Sequence, residues 1–292
     1  MQEIFSYPWM EESYVNAILQ STDGILALST PPSPSERLIR SSLLPNLCKA
    51  VAKNERYYGD FAIFETAQVF HDTDYTTPYD PREKLPSQRK NVAGAFVSAG
   101  KDVAALFRKA KGVVEMMPRY THMERYDFRQ VEKPVWADEV VWLNIYLGEE
   151  RIGDLALLSK RSSMACGIKN VNVMLFQLDQ DALVPLRSRT NTFTHLAEYP
   201  MTDYDISLQL DGEVKWADVA ETIEGVKNPL LHGASFVDEY RGKQVPAGKK
   251  SLTARLTIGS TEKTLTSAEI EEVANSVLKK LSKRFGAELR SR

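Results

Sequence analysis

Hydrophobic and polar residues alternate most regularly in the last third of the chain. Asp205 to Asp211 (DISLQLD) puts Ile206, Leu208 and Leu210 on one side and Asp205, Ser207 and Gln209 on the other. Ser251 to Ile258 (SLTARLTI) repeats this, with Leu252, Ala254, Leu256 and Ile258 opposite Ser251, Thr253, Arg255 and Thr257. A period of two with one apolar side predicts strands of an antiparallel sheet covered on one face only. The cover is legible too: Ile270, Val273, Ala274, Val277, Leu278 and Leu281 recur at helical spacing. Thr266-Ser267-Ala268-Glu269 fits a capping box ahead of that helix, and Gly286 supplies a left-handed position behind it. A weaker helix over Trp216–Glu224, a strand over Leu231–Tyr240 and a short terminal strand complete the order βαββαβ. This predicts a ferredoxin-like sandwich with one sheet face uncovered.

The earlier part mixes both periods. Phe61–Phe70, Val92–Ser98, Val140–Leu147 and Val171–Leu178 are rich in β-branched and aromatic residues and read as strands. Leu43–Lys53 and Val103–Val114 read as helices, and Gly148-Glu149-Glu150 as a hairpin turn. The class is α+β, built on an antiparallel sheet. Three polar, proline-containing breaks punctuate the chain. Thr30 to Ser35 is a short loop. His71 to Lys90, with three prolines and almost no aliphatic residue, predicts a long surface loop. Pro185 to Asn191 (PLRSRTN) separates two segments that each look self-contained, which sets the domains at residues 1–189 and 190–292.

Composition narrows the class. With 292 residues, 43% hydrophobic and 26% charged, the chain is a globular protein of roughly two domains, not a disordered or fibrous one. The net charge of −2 excludes coating of nucleic acid by bulk charge but says nothing about local patches. Cys48 and Cys166 are far apart and form no CxxC, so neither a disulfide scaffold nor a cysteine-rich zinc site is expected. MQEIFSYPWMEESY has no signal-peptide pattern, and no apolar run reaches membrane-spanning length; a cytoplasmic protein without a membrane partner is the expectation.

One patch stands out against the neutral background. Tyr240 to Lys263 carries Arg241, Lys243, Lys249, Lys250, Arg255 and Lys263 against Glu262 alone, +5 in 24 residues. Tyr240 stands at its head as a stacking platform for a base, and the cations suit phosphates or base edges. A hairpin that is merely solvated by its lysines fits the same residues. Enzymatic motifs fail. The run from Gly94 to Asp102 (GAFVSAGKD) has five residues between its glycines where a phosphate loop has four, and Asp102 stands where Ser or Thr would bind magnesium. It reads instead as a strand end followed by a helix started by Asp102. His71, His122, His195 and His232 are isolated, no GxSxG occurs, and no carboxylate pair identifies an acid and a base. No catalytic or metal-ligating residue is assigned.

Ser35 to Phe70 (SERLIRSSLLPNLCKAVAKNERYYGDFAIFETAQVF) resembles the catalytic-like module of the bacterial phenylalanyl-tRNA synthetase beta subunit. Lys111 to Glu115, Glu150-Arg151-Ile152-Gly153 and Phe176-Gln177-Leu178-Asp179 resemble its later landmarks. The tail is similar to the ferredoxin-fold anticodon-binding domain of that subunit. Its matching residues are Tyr199-Pro200, Asp205-Ile206-Ser207, Tyr240-Arg241-Gly242, Val245 to Leu252 and Arg284 to Arg290. The resemblance covers nearly the whole chain. It implies a class II synthetase-like module lacking the chemistry, since the Gly-rich motif ending in an ATP-holding arginine is missing, followed by a domain that meets the tRNA anticodon. It further implies an alpha subunit that holds the active site, ATP and magnesium, within a heterotetramer acting on tRNA(Phe). No cofactor is expected on this chain itself. Tyr204 stands where the family usually has Arg, and Leu157 to Arg161 lacks the family's usual His-Pro. The family's tRNA-binding, editing and helix–turn–helix-like modules lie before the portion matched here, so the chain reads as the C-terminal part of that subunit. The rival expectation is an assembly module that docks the alpha subunit with incidental RNA contact. A third, ATP-dependent phenylalanine activation by the chain alone, has no motif behind it.

Overall fold

A computed structural model describes residues 1–72, 85–184, 190, 198–242 and 245–289. The chain divides into two units, residues 1–191 and 192–292. Most of the segment expected to separate the domains, 185–191, lies outside the described residues, as does 73–84 from the expected long loop.

The first unit begins with β1 (Gln2–Glu3), β2 (Trp9–Met10), α1 (Glu12–Ile18) and β3 (Leu38–Ile39). There follow α2 (Leu44–Asn54), β4 (Asp60–His71), β5 (Ser87–Ser98) and α3 (Val103–Tyr120). Then come β6 (Asp127–Arg129), β7 (Ala137–Leu147), β8 (Glu150–Leu158), α4 (Lys160–Ala165) and β9 (Asn172–Asp179). Seven strands form one sheet in the order β1-β4-β5-β9-β8-β7-β6, antiparallel except for β1 on β4. Both faces are covered. Along β9, Val173 and Leu175 join a core with α1, α2 and Cys166, while Met174, Phe176 and Leu178 join a second core with Leu106, Ala110 and Val114 of α3. That double burial is why Val173–Phe176 reads as four consecutive apolar residues and not as an alternation.

Several elements exceed their expected bounds. β5 starts at Ser87, because backbone pairing of Ser87–Lys90 with Gln68–His71 of β4 does not require apolar side chains. The ends of the expected loop 71–90 are therefore strand. α3 runs beyond Val114 to Tyr120 and carries Pro118 in its last turn. Asp102 caps it, its side chain accepting a hydrogen bond from Ala105 N at 2.8 Å, so the GAFVSAGKD run is a strand end and a helix start.

The second unit contains β10 (Thr202–Asp211), α5 (Trp216–Glu224), β11 (Leu231–Tyr240), β12 (Lys249–Ile258), α6 (Ser267–Phe285) and β13 (Glu288–Leu289). Its sheet order is β11-β12-β10-β13, the split-βαβ arrangement of a ferredoxin-like sandwich. Ile206, Leu208, Leu210, Leu252, Ala254, Leu256 and Ile258 are buried against Val219 and Ile223 of α5 and Val273, Val277 and Leu281 of α6. Thr266 and Glu269 form the capping box at the start of α6, and Gly286 ends the helix at φ 62°.

Candidate nucleic-acid interface

The side of this sheet away from α5 and α6 presents Asp203, Asp205, Ser207 and Gln209 of β10 beside Lys249, Thr253, Arg255 and Thr257 of β12. Opposed residues bond in pairs. Ser207 and Thr253 hydroxyls lie 3.0 Å apart, and Thr257 Oγ1 donates to Asp203 Oδ1 at 3.2 Å. Arg255 Nε and Nη2 donate to Asp205 Oδ1 and Oδ2 at 2.7 and 2.9 Å. The guanidinium holds the Asp205 carboxyl below its ordinary pKa, and the carboxylate in turn raises that of Arg255.

Tyr240 reaches this face through a β-bulge. After a first register shift between Leu231 and Gly233, β11 follows simple alternation from Gly233 to Phe236, which opposes Ala254 on the helix side, and continuing it would turn Tyr240 inward. A register shift between Phe236 and Asp238 adds one residue, so Tyr240 opposes Ser251 on the outer face and is 40% exposed. The chain then turns back under the ring: a Cβ on Gly242 would lie 2.3 Å from Tyr240 Oη. Only glycine permits that approach without displacing the tyrosine.

The expected cations separate on this scaffold. Arg241 is exposed, with Nε on Glu239 Oε1 and Nη2 on Gly212 O, both at 2.8 Å. Lys249 is half-buried and, among the described residues, has no ion pair. Lys243 lies outside the described residues. Lys250 departs from the expectation of an exposed cation. Its strand parity is that of Leu252, it is 3% exposed, and its Nζ donates to Glu239 Oε2 at 2.7 Å. An ammonium so placed cannot meet a phosphate without leaving its carboxylate. Burial pushes Glu239 up, but the hydrogen bonds from Lys250 and Arg241 outweigh it and hold the carboxyl below its usual range.

The charge count from Tyr240 missed these acids because Asp238 and Glu239 stand immediately before it, while Asp203 and Asp205 arrive from another strand. The adjacent DEY triplet was a visible signal for Glu239. For Asp205 the only signal was its matching parity with Arg255.

The landmarks of the first unit do structural work. Arg40 and Glu65 form a buried ion pair, Nη1 to Oε1 at 3.1 Å, with side chains 9% and 2% exposed. Ser6 donates from its backbone N and from Oγ to the same carboxylate, and Asn46 Nδ2 donates to Ser6 Oγ and Tyr7 O. Ser42 Oγ and Leu43 N both donate to Gln177 Oε1 at 2.9 Å. Among the described residues, no group of three or more His, Cys, Asp or Glu is arranged to hold a metal ion.

Two family models match. The phenylalanyl tRNA synthetase beta chain CLM domain matches residues 1–180, more than half of the chain, and the ferredoxin-fold anticodon binding domain matches residues 197–290. The chain belongs to the phenylalanyl-tRNA synthetase beta chain family. The phenylalanine–tRNA ligase beta subunit of Carboxydothermus hydrogenoformans is 28% identical over 304 residues, covering 100% of this chain and 37% of that protein. Those of Bacillus subtilis and Synechococcus sp. are 28% and 29% identical, covering 94% and 93% of this chain and 34% of each relative. The chain thus spans about a third of the length of these beta subunits. In this beta-chain member the landmark residues Arg40, Asn46 and Glu65 are tied to the N-terminal segment through Ser6 and Tyr7, and Ser42 is tied to Gln177. In the second unit Tyr240 and Arg255 lie on the outer face of the sheet, four positions apart along β12, while Arg241 follows β11 and is held by Glu239 and Gly212. No helix among the described residues is long and apolar enough to cross a membrane.

Proposed function

We propose that this chain supports ATP-dependent attachment of phenylalanine to tRNA(Phe), as the C-terminal part of a phenylalanine–tRNA ligase beta subunit. In this reading residues 1–189 dock the catalytic alpha subunit within a heterotetramer, and residues 190–292 bind the tRNA anticodon region. The observation that carries it is the open sheet face of a ferredoxin-fold anticodon binding domain, with Tyr240 turned onto it by a bulge. Tyr240 stacks on a base; Arg241, Lys249 and Arg255 meet phosphates or base edges. Lys243 remains in the proposed set, and Lys250 serves as a support for Glu239.

ATP and magnesium act on the alpha subunit. The residues of the first unit do not fit a nucleotide on the sheet, since both sheet faces are filled by side chains and helices. In this reading the chain alone does not exchange pyrophosphate into ATP. Filter binding of the chain to tRNA(Phe) tests the reading: Tyr240→Ala should weaken binding, and unchanged affinity removes the open face from the site.

One observation favours the rival, an alpha-subunit assembly module with incidental RNA contact. Arg255 and Arg241 are engaged by carboxylates, while Tyr57 and Tyr58 of the first unit are 67% and 60% exposed. Co-purification with alpha together with equal tRNA affinity in the presence and absence of residues 190–292 would establish that rival.

A further inference from the structure

Tyr240 is flanked by two charged residues that are bonded to each other. Glu239 opposes Leu252, which belongs to the core, whereas Tyr240 opposes Ser251. Adjacent strand residues face opposite sides, so the Glu239 carboxylate lies on the side away from the ring. It accepts from Lys250 Nζ at 2.7 Å through Oε2 and from Arg241 Nε at 2.8 Å through Oε1. Arg241 Nη2 donates in turn to Gly212 O, and Gly212 N donates to Gly248 O, both at 2.8 Å. These bonds join the end of β11, the start of β12 and the turn after β10. The Lys250 side chain is 4% exposed and that of Glu239 29%. Undoing the bulge after Phe236 would move every later residue of β11 to the other side, Glu239 outward and Tyr240 inward. Lys250 would then be buried without its carboxylate, a severe cost for an ammonium.

We propose that Glu239 is a positioning residue for RNA recognition: clamped by Lys250 and Arg241, it fixes the bulged register that presents Tyr240 to a base. The role rests on the reading of Tyr240 as a stacking platform for the anticodon region. Glu239 itself meets no RNA, because its carboxylate is bonded on the far side of the strand from the ring. Its charge gives the role a sign. Removing an acid from a domain that binds phosphates tightens binding by electrostatics alone. Removing a group that holds the stacking ring in place weakens it.

The test measures the affinity of the full chain for tRNA(Phe) by filter binding, alongside urea unfolding. Tyr240→Ala should lose roughly 5- to 150-fold, the range of one base stack. Glu239→Gln should lose about 5-fold or more despite its added positive charge. Combining it with Lys250→Met removes the stranded ammonium and leaves the net charge as in the wild type. That pair should regain stability but not affinity, which separates positioning from a merely structural role. Arg241→Gln, at an exposed site, should lose more affinity in the wild type than in Tyr240→Ala, and it decides the matter where the pair fails to fold. No loss in Tyr240→Ala overturns the stacking reading and the clamp together. A loss there, with the Glu239→Gln/Lys250→Met pair binding as tightly as the wild type or tighter, overturns the clamp alone. So does an equal loss from Arg241→Gln with and without the Tyr240 ring.

Discussion

The Arg255 guanidinium lies against the Asp205 carboxylate through two hydrogen bonds of 2.7 and 2.9 Å, across the seam between β12 and β10. The cation that the sequence offers to RNA is thus held in place by an acid fifty positions away. Replacing Asp205 by Asn should release the guanidinium onto the open face. The logarithmic salt dependence of tRNA binding is then expected to steepen by about 0.7–0.9, the contribution of one added phosphate contact. Filter binding over a range of salt concentrations measures it; an unchanged slope would take Arg255 out of the contact.

Gly242 and Tyr240 form the second test. An alanine at 242 must push the tyrosine ring aside, because its Cβ would come within 2.3 Å of Oη. Gly242→Ala should therefore reproduce the binding loss of Tyr240→Ala, roughly 5- to 150-fold for one lost base stack of about 1–3 kcal/mol. Circular dichroism and thermal unfolding should show the fold unchanged in both.

Glu239 predicts a pH dependence. Removing its charge leaves the Lys250 ammonium, 4% exposed, without a carboxylate. Glu239→Gln should cost about 1–3 kcal/mol at neutral pH. The folded-state pKa of Glu239 lies below the ordinary 4.5, so its contribution is present above that value and fades as pH falls through the folded pKa. Urea unfolding of wild type and variant should differ most at neutral pH and converge in acid. A difference that stays constant with pH would show that the carboxylate charge is not its source.

Arg40 and Glu65 bear on the first unit. Glu65→Ala strands a guanidinium whose side chain is 9% exposed and deprives Ser6 of its acceptor. A loss of about 3–5 kcal/mol is expected, confined to the first unit. Amide hydrogen exchange along β4 and along β12 separates the two units: protection should fall in β4 and hold in β12.

Local rules carried much of the fold. The stripe on α6, its capping box and the terminal Gly286 are contained within twenty-one consecutive residues, so the sequence alone displays them. The alternation of β10 and β12 likewise states its own parity. What escaped was decided at a distance. α1 and α4 are seven and six residues long and carry too few turns to show a period. The orientation of Tyr240 depends on a bulge that only the pairing of β11 with β12 reveals. Lys250 looked like its neighbour Lys249, yet adjacent residues in a strand face opposite sides, and one of the two had to turn inward.

The pairing of β5 with β9 has a kinetic consequence. β4 with β5, and β7 with β8, are each joined between near neighbours in sequence, whereas Asn91–Ser98 of β5 pairs with Asn172–Asp179 of β9 across some eighty positions. Chain entropy opposes closing so long a loop before its contacts can repay the loss. The two halves of the sheet can therefore assemble early, and the arrival of β9 at β5 is the slow event that makes them one.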